Sequence, residues 1–144
     1  MSRGTKREII SPLLSTSSSL LLPLLIVFSI YLLLRGHNEP GGGFVGGLVA
    51  GCAFTLYAIA NGVAKTREKM IIDPRHVALI GISMMSGSGL VSLAFGNPFL
   101  TAIWLDVPIP VVGKLGTPLL FDVGVYLIVT GIVLSIIFAL MEDR

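Results

Sequence analysis

The chain has 144 residues, of which 53% are hydrophobic and 12% charged, with a formal net charge of +2 and a mean hydropathy of +0.91. Such hydropathy excludes most water-soluble classes, and so slight and dispersed a charge excludes nucleic acid as a partner. The single cysteine, Cys52, excludes a disulfide framework.

Charges fall in short clusters separated by neutral runs at 9–34, 40–64, 77–105 and 123–141. Each run is about as long as the roughly 20 residues a helix needs to cross a hydrocarbon core of about 30 Å. Lipid offers no hydrogen-bond partners, so a spanning segment must satisfy its own backbone. Runs of this length without strict alternation predict helices rather than barrel strands. The expected fold is an all-α integral membrane protein, a single four-helix domain over 1–144 with helices at about 12–34, 44–63, 76–96 and 120–141.

Arg3, Lys6 and Arg7 precede the first helix as in a signal peptide, but no Ala-x-Ala-like site follows at a suitable distance. The run is therefore read as a retained span. Pro23 inside it deletes a backbone hydrogen bond, and Ser18 and Ser19 are expected to cover the freed carbonyls.

The most specific stretch comes next, Arg35-Gly36-His37-Asn38-Glu39-Pro40-Gly41-Gly42-Gly43-Phe44-Val45-Gly46-Gly47-Leu48. Asn38 suits a helix cap, and Pro40 suits a first turn because it has no N–H to leave unsatisfied. The glycines expose backbone with no side chain over it. Two readings stand: a tight turn that returns helix one as helix two, or bare backbone that holds an anion or lines a water-filled passage. His37 and Glu39 add titratable groups in a solvated loop, and Arg35 is expected to snorkel to the interface.

In the second helix Gly43, Gly47 and Gly51 recur every fourth residue, with Gly42, Gly46 and Ala50 one step round. This is the small-xxx-small surface of close membrane helix packing. Cys52 is expected to pack as a small residue, Thr55 and Asn61 to donate hydrogen bonds to a neighbour, and Phe44 to wedge against another helix. The third helix carries Gly81, Ser83, Ser86, Gly87, Ser88, Gly89 and Ser92, and the fourth Gly124, Gly131 and Ser135. One four-helix bundle satisfies only some of these faces, so the rest are expected to dock onto other subunits.

The connection 97–121 holds Trp104 and the prolines Pro98, Pro108, Pro110 and Pro118, which forbid a regular helix across it. Gly113-Lys114-Leu115-Gly116 is a turn signal, and an extended or hairpin-like element at the outer membrane surface is expected. Asp122 then begins helix four, either as a cap at the positive helix end or as part of a cation funnel. The candidate residues for an ion entrance or subunit packing are thus His37, Asn38, Glu39, Pro40, Gly41, Gly42, Gly43, Phe44, Gly46, Gly47, Gly51 and Asp122.

Lys and Arg are retained on the cytoplasmic side of short loops. Arg3, Lys6, Arg7, Lys65, Arg67, Lys69, Arg75 and Arg144 would share one side, against Arg35 and Lys114 on the other. Both termini are expected in the cytoplasm. No span places an ionisable residue near its middle, and each acidic residue falls at or outside a predicted helix end. A self-sufficient ion exchanger needs such a group, so this chain is expected to depend on partners.

The string Gly36-His37-Asn38-x-Pro40-Gly41-Gly42-Gly43-Phe44-x-Gly46-Gly47-Leu48 carries a family likeness. So does the end of the outer connection, Gly116-Thr117-Pro118-Leu119-Leu120-Phe121-Asp122-Val123-Gly124-Val125-Tyr126. With the four-span hydropathy, they make a chain that resembles the MrpB (MnhB) component of the Mrp (Mnh) multisubunit sodium/proton antiporters of bacteria over nearly its whole length. The resemblance implies a plasma-membrane complex of several hydrophobic subunits, whose large members resemble the proton-pumping subunits of respiratory complex I. In that family sodium leaves the cell as protons enter, and the ionisable relay would belong to the large partners.

The alternative is a stand-alone membrane protein. A small homodimeric exporter needs a membrane-embedded Glu in its first helix, and 9–34 contains none. An assembly or lipid-binding factor is the other form. No nucleophile pairs with a base and no metal ligands gather, so neither an enzyme nor a metal or cofactor protein is expected.

Overall fold

In a computed structural model of the chain, residues 2–35, 42–98, 104–109 and 113–143 are described. The elements are α1 (Ser2–Arg35), α2 (Gly42–Asn61), α3 (Val63–Lys69), α4 (Pro74–Ala94), β1 (Trp104–Ile109), β2 (Gly113–Gly116) and α5 (Thr117–Glu142). Among the described residues, four helices are long and apolar enough to cross a membrane: Pro12–Arg35, Gly42–Asn61, Pro74–Ala94 and Thr117–Glu142. The neutral runs place them because a span outside a closed barrel is stable in lipid only as a helix that satisfies its own backbone.

The four spans stand in a row, in the order α1, α2, α5, α4. α2 is sandwiched between α1 and α5, and α5 between α2 and α4. The row leaves the flanking faces of α1 and α4 open, as at Leu20, Leu24, Leu79 and Leu90. Its interior has two small apolar clusters. Leu22, Ala53 and Tyr57 join α1 to α2, and Ala58, Leu134 and Phe138 join α2 to α5.

Elsewhere the helices meet at glycines. A Cβ at Gly81 of α4 would stand 2.6 Å from the Gly124 carbonyl oxygen of α5, and one at Gly131 of α5 would stand 2.6 Å from the Pro74 carbonyl oxygen of α4. Backbones this close exchange many small dispersion contacts, the main attraction between helices in lipid.

Polar side chains add staples. The Asn61 side-chain oxygen of α2 accepts from the Ser15 hydroxyl of α1, and its Nδ2 donates to Ser18 Oγ at 3.0 Å. Asn61 therefore bridges neighbours as expected. Thr55 does not, for its hydroxyl donates to the Gly51 carbonyl of its own helix at 2.7 Å. Cys52 is exposed on the face of α2 turned away from its packing partners.

Ser18 and Ser19 both donate to the Ser15 carbonyl, at 2.9 and 2.8 Å. They do not cover the carbonyl freed by Pro23, which is that of Ser19. A helical hydroxyl reaches back three or four residues, never forward along its own turn.

Three boundaries differ from the sequence reading. α1 reaches back to Ser2, ten residues before the expected start at about 12. α5 starts at Thr117, with Pro118 in its first turn. A proline there costs nothing, since no N–H is required of it, so Pro118 opens the helix instead of breaking it. The segment after α2 also folds, into the short α3. The connection before α5 carries an antiparallel ladder pairing Trp104 with Gly116, Pro108 with Lys114 and Ile109 with Gly113, with an irregular register between Trp104 and Pro108. In a two-stranded ladder both strands are edges, which tolerate a proline.

α3 is tied down by Arg67. Its guanidinium meets Asp73 Oδ2 at 3.2 Å and Glu142 Oε1 at 2.9 Å, and lies 5.1 Å over the Phe138 ring. The backbone N–H of Arg75, and next the Arg67 charge, hold the Asp73 carboxyl below its ordinary value. A lowered carboxylate contributes stability above its ordinary pKa and loses it as pH falls through the lowered value. Arg67→Gln is therefore expected to lower the melting temperature at pH 7 by the equivalent of ~1 kcal/mol, since exposed pairs are individually weak. Thermal unfolding in detergent checks this, and the difference from the parent should shrink below about pH 4 as the Asp73 carboxylate protonates.

Candidate functional site

A run of polar groups lies between the spans where α5 crosses α2 and α1. Asp122, Tyr126 and Thr130 recur every fourth residue along α5 and so line one face of it. Opposite stands the glycine stripe of α2, with Gly42, Gly43, Gly46, Gly47, Ala50 and Gly51 all buried. Without side chains on α2, the α5 groups reach its backbone.

At one end of this stripe Asp122 Oδ1 accepts from the Gly43 N–H at 2.8 Å. An N–H so near a helix start has no intrahelical acceptor, and a carboxylate is favoured at the positive helix end. Asp122 thus caps a helix, but α2 and not its own. Since α5 begins at Thr117, Asp122 lies in the second turn, about 7 Å past the first residue. The expectation that every carboxylate falls at or outside a helix end is corrected here, as it is at Glu8, which the early start of α1 places inside that helix. For Asp122 the cause is the early start permitted by Pro118.

One turn on, the ring of Tyr126 covers Gly46, where an added Cβ would stand 3.1 Å from it. Its hydroxyl is 2.7 Å from Ser29 Oγ of α1. Ser29 is wholly buried and donates its one proton to the Ile26 carbonyl at 2.7 Å, so Tyr126 is the donor in the pair. Another turn on, the Thr130 hydroxyl shares its proton between the Tyr126 carbonyl at 2.8 Å and the Gly47 carbonyl at 3.2 Å. Gly51 then packs on Val133, and the contact becomes apolar.

The structure thus gathers Gly43, Gly46, Gly47, Gly51 and Asp122 of the candidate set at one helix contact. Phe44 points away from it and is 52% exposed. His37, Asn38, Glu39, Pro40 and Gly41 lie outside the described residues. Ser29, Tyr126 and Thr130 were missed by sequence reasoning, although the fourfold spacing of Asp122, Tyr126 and Thr130 is a legible signal of a polar helix face. Among the described residues, no group of three or more His, Cys, Asp or Glu side chains gathers.

Removing the Tyr126 hydroxyl tests the middle contact. Tyr126→Phe is expected to cost about 0.6 to 1.7 kcal/mol, read as thermal stability in detergent. Combined with Ser29→Ala it should cost less than the sum of the two single changes; strict additivity would mean that the two hydroxyls do not interact.

Comparison with known proteins decides the family. Residues 13–135 match the model of a domain related to the MnhB subunit of Na+/H+ antiporter. The chain belongs to the MnhB family. It is 38% identical over 134 residues to the Na(+)/H(+) antiporter B subunit of Bacillus subtilis (strain 168), covering 92% of this chain and 94% of the relative. It is 35% identical over 133 residues to the Na(+)/H(+) antiporter B subunit of Alkalihalophilus pseudofirmus, with 91% and 92% covered. Among solved structures, a chain in the structure of the Mrp complex from Dietzia sp. DQ12-45-1b matches with a TM-score of 0.77 and 32% identity. That match covers 95% of this chain but only 15% of the other, so the MnhB fold there is one part of a far longer polypeptide. With four apolar spans, this MnhB chain is a multi-pass membrane protein.

Proposed function

We propose that the chain is the MnhB component of an Mrp-type sodium/proton antiporter in the bacterial plasma membrane, a non-catalytic subunit needed for assembly of the complex. The observation that carries this reading is its likeness, over nine-tenths of both chains, to two proteins named as the B subunits of Na(+)/H(+) antiporters. The open row supports it, because α1 and α4 each have only 22% of their spanning window buried and so offer flanks to other hydrophobic subunits. The polar face of α5 supports it too. Its one carboxylate is engaged with a backbone N–H of α2, and beyond it come only hydroxyls, so Na+ and H+ transfer through the membrane belongs to the partners.

In this reading both termini face the cytoplasm, which the distribution of Lys and Arg supports. The glycine-rich segment and the start of α5 then lie at the outer surface, where they shape the external ion entrance. Phe44, turned outward from α2, is an anchor for a neighbouring subunit.

The test is co-purification. A tag on this chain should bring down several larger hydrophobic subunits in mild detergent, and a stable, solitary monomer would overturn the assignment. Phe44→Ala should lower the yield of the complex severalfold while the chain still reaches the membrane. An unchanged yield removes Phe44 from the interface.

A further inference from the structure

We draw no further inference here: the strongest candidate, the apolar groove between α2 and α5 lined by Thr55, Ile59, Ile137, Leu140 and Met141, is an unpartnered face, and nothing in the structure shows what covers it.

Discussion

Gly43→Val is expected to separate the outer parts of α2 and α5 and to remove the chain from its complex. An added Cβ at Gly43 would stand 2.2 Å from the Asp122 carbonyl oxygen and 2.4 Å from Asp122 Oδ1. The first of these is helix backbone and cannot turn aside as a side chain would. The helices must move apart, which breaks the 2.8 Å bond from the Gly43 N–H to Asp122. Overpacking costs about 1 to 3 kcal/mol, and loss of a hydrogen bond to a charged group about 1.5 to 3 kcal/mol more. A total near 4 kcal/mol is a large share of the stability of a small domain. Melting in detergent and the amount of co-purified partner are the measurements. Gly87→Val is the control, because a Cβ there meets nothing within 4 Å. Equal stability of the Gly43 and Gly87 variants would refute the close approach of α2 to α5.

The contrast between these glycines marks how far sequence reading reaches. Lipid makes a helical span nearly the only solution for a long neutral run, so the four spans are legible from where the charges stop. The small-residue stripe of α2 is legible for the same reason as any helical face, from its period. What occupies it is not. Gly43, Gly47 and Gly51 receive residues of α5, some 80 positions away, and Gly46 receives both Tyr126 of α5 and the Ser29 carbonyl of α1. α1, the neighbour in sequence, otherwise packs through Leu22 and the serine and asparagine staple. Periodicity gives the face of one helix and says nothing of which partner completes it.

Local rules also depend on position within an element. Pro118 reads as a breaker when counted among the prolines of the connection, yet it stands in the first turn of α5, where it fits. That shift of a few residues moves Asp122 from a helix end into the second turn. From there its side chain reaches the start of α2. The role of capping is legible from a carboxylate beside a helix start, but the helix it caps requires the fold. Arg67 is similar: its charge marks a membrane side, while its grip on Asp73, Glu142 and the Phe138 ring depends on α3, which composition did not foretell.

Asp122 is where structure and transport are to be separated, and two substitutions do so. Asp122→Ala removes the acceptor of the Gly43 N–H and leaves a donor between packed helices, at a cost of about 1.5 to 3 kcal/mol. The complex should assemble poorly, and exchange of sodium for protons in everted vesicles should fall with the amount of complex. Asp122→Asn keeps an oxygen in the same place and gives up only the charge. If capping of α2 is what Asp122 does, the Asn variant should recover most of the assembly and, per assembled complex, normal transport. Full assembly with transport lost in the Asn variant would instead assign the carboxylate to the cation path. The geometry favours capping, because Oδ1 already points at a backbone N–H, and an oxygen so engaged has less capacity left to coordinate a passing cation.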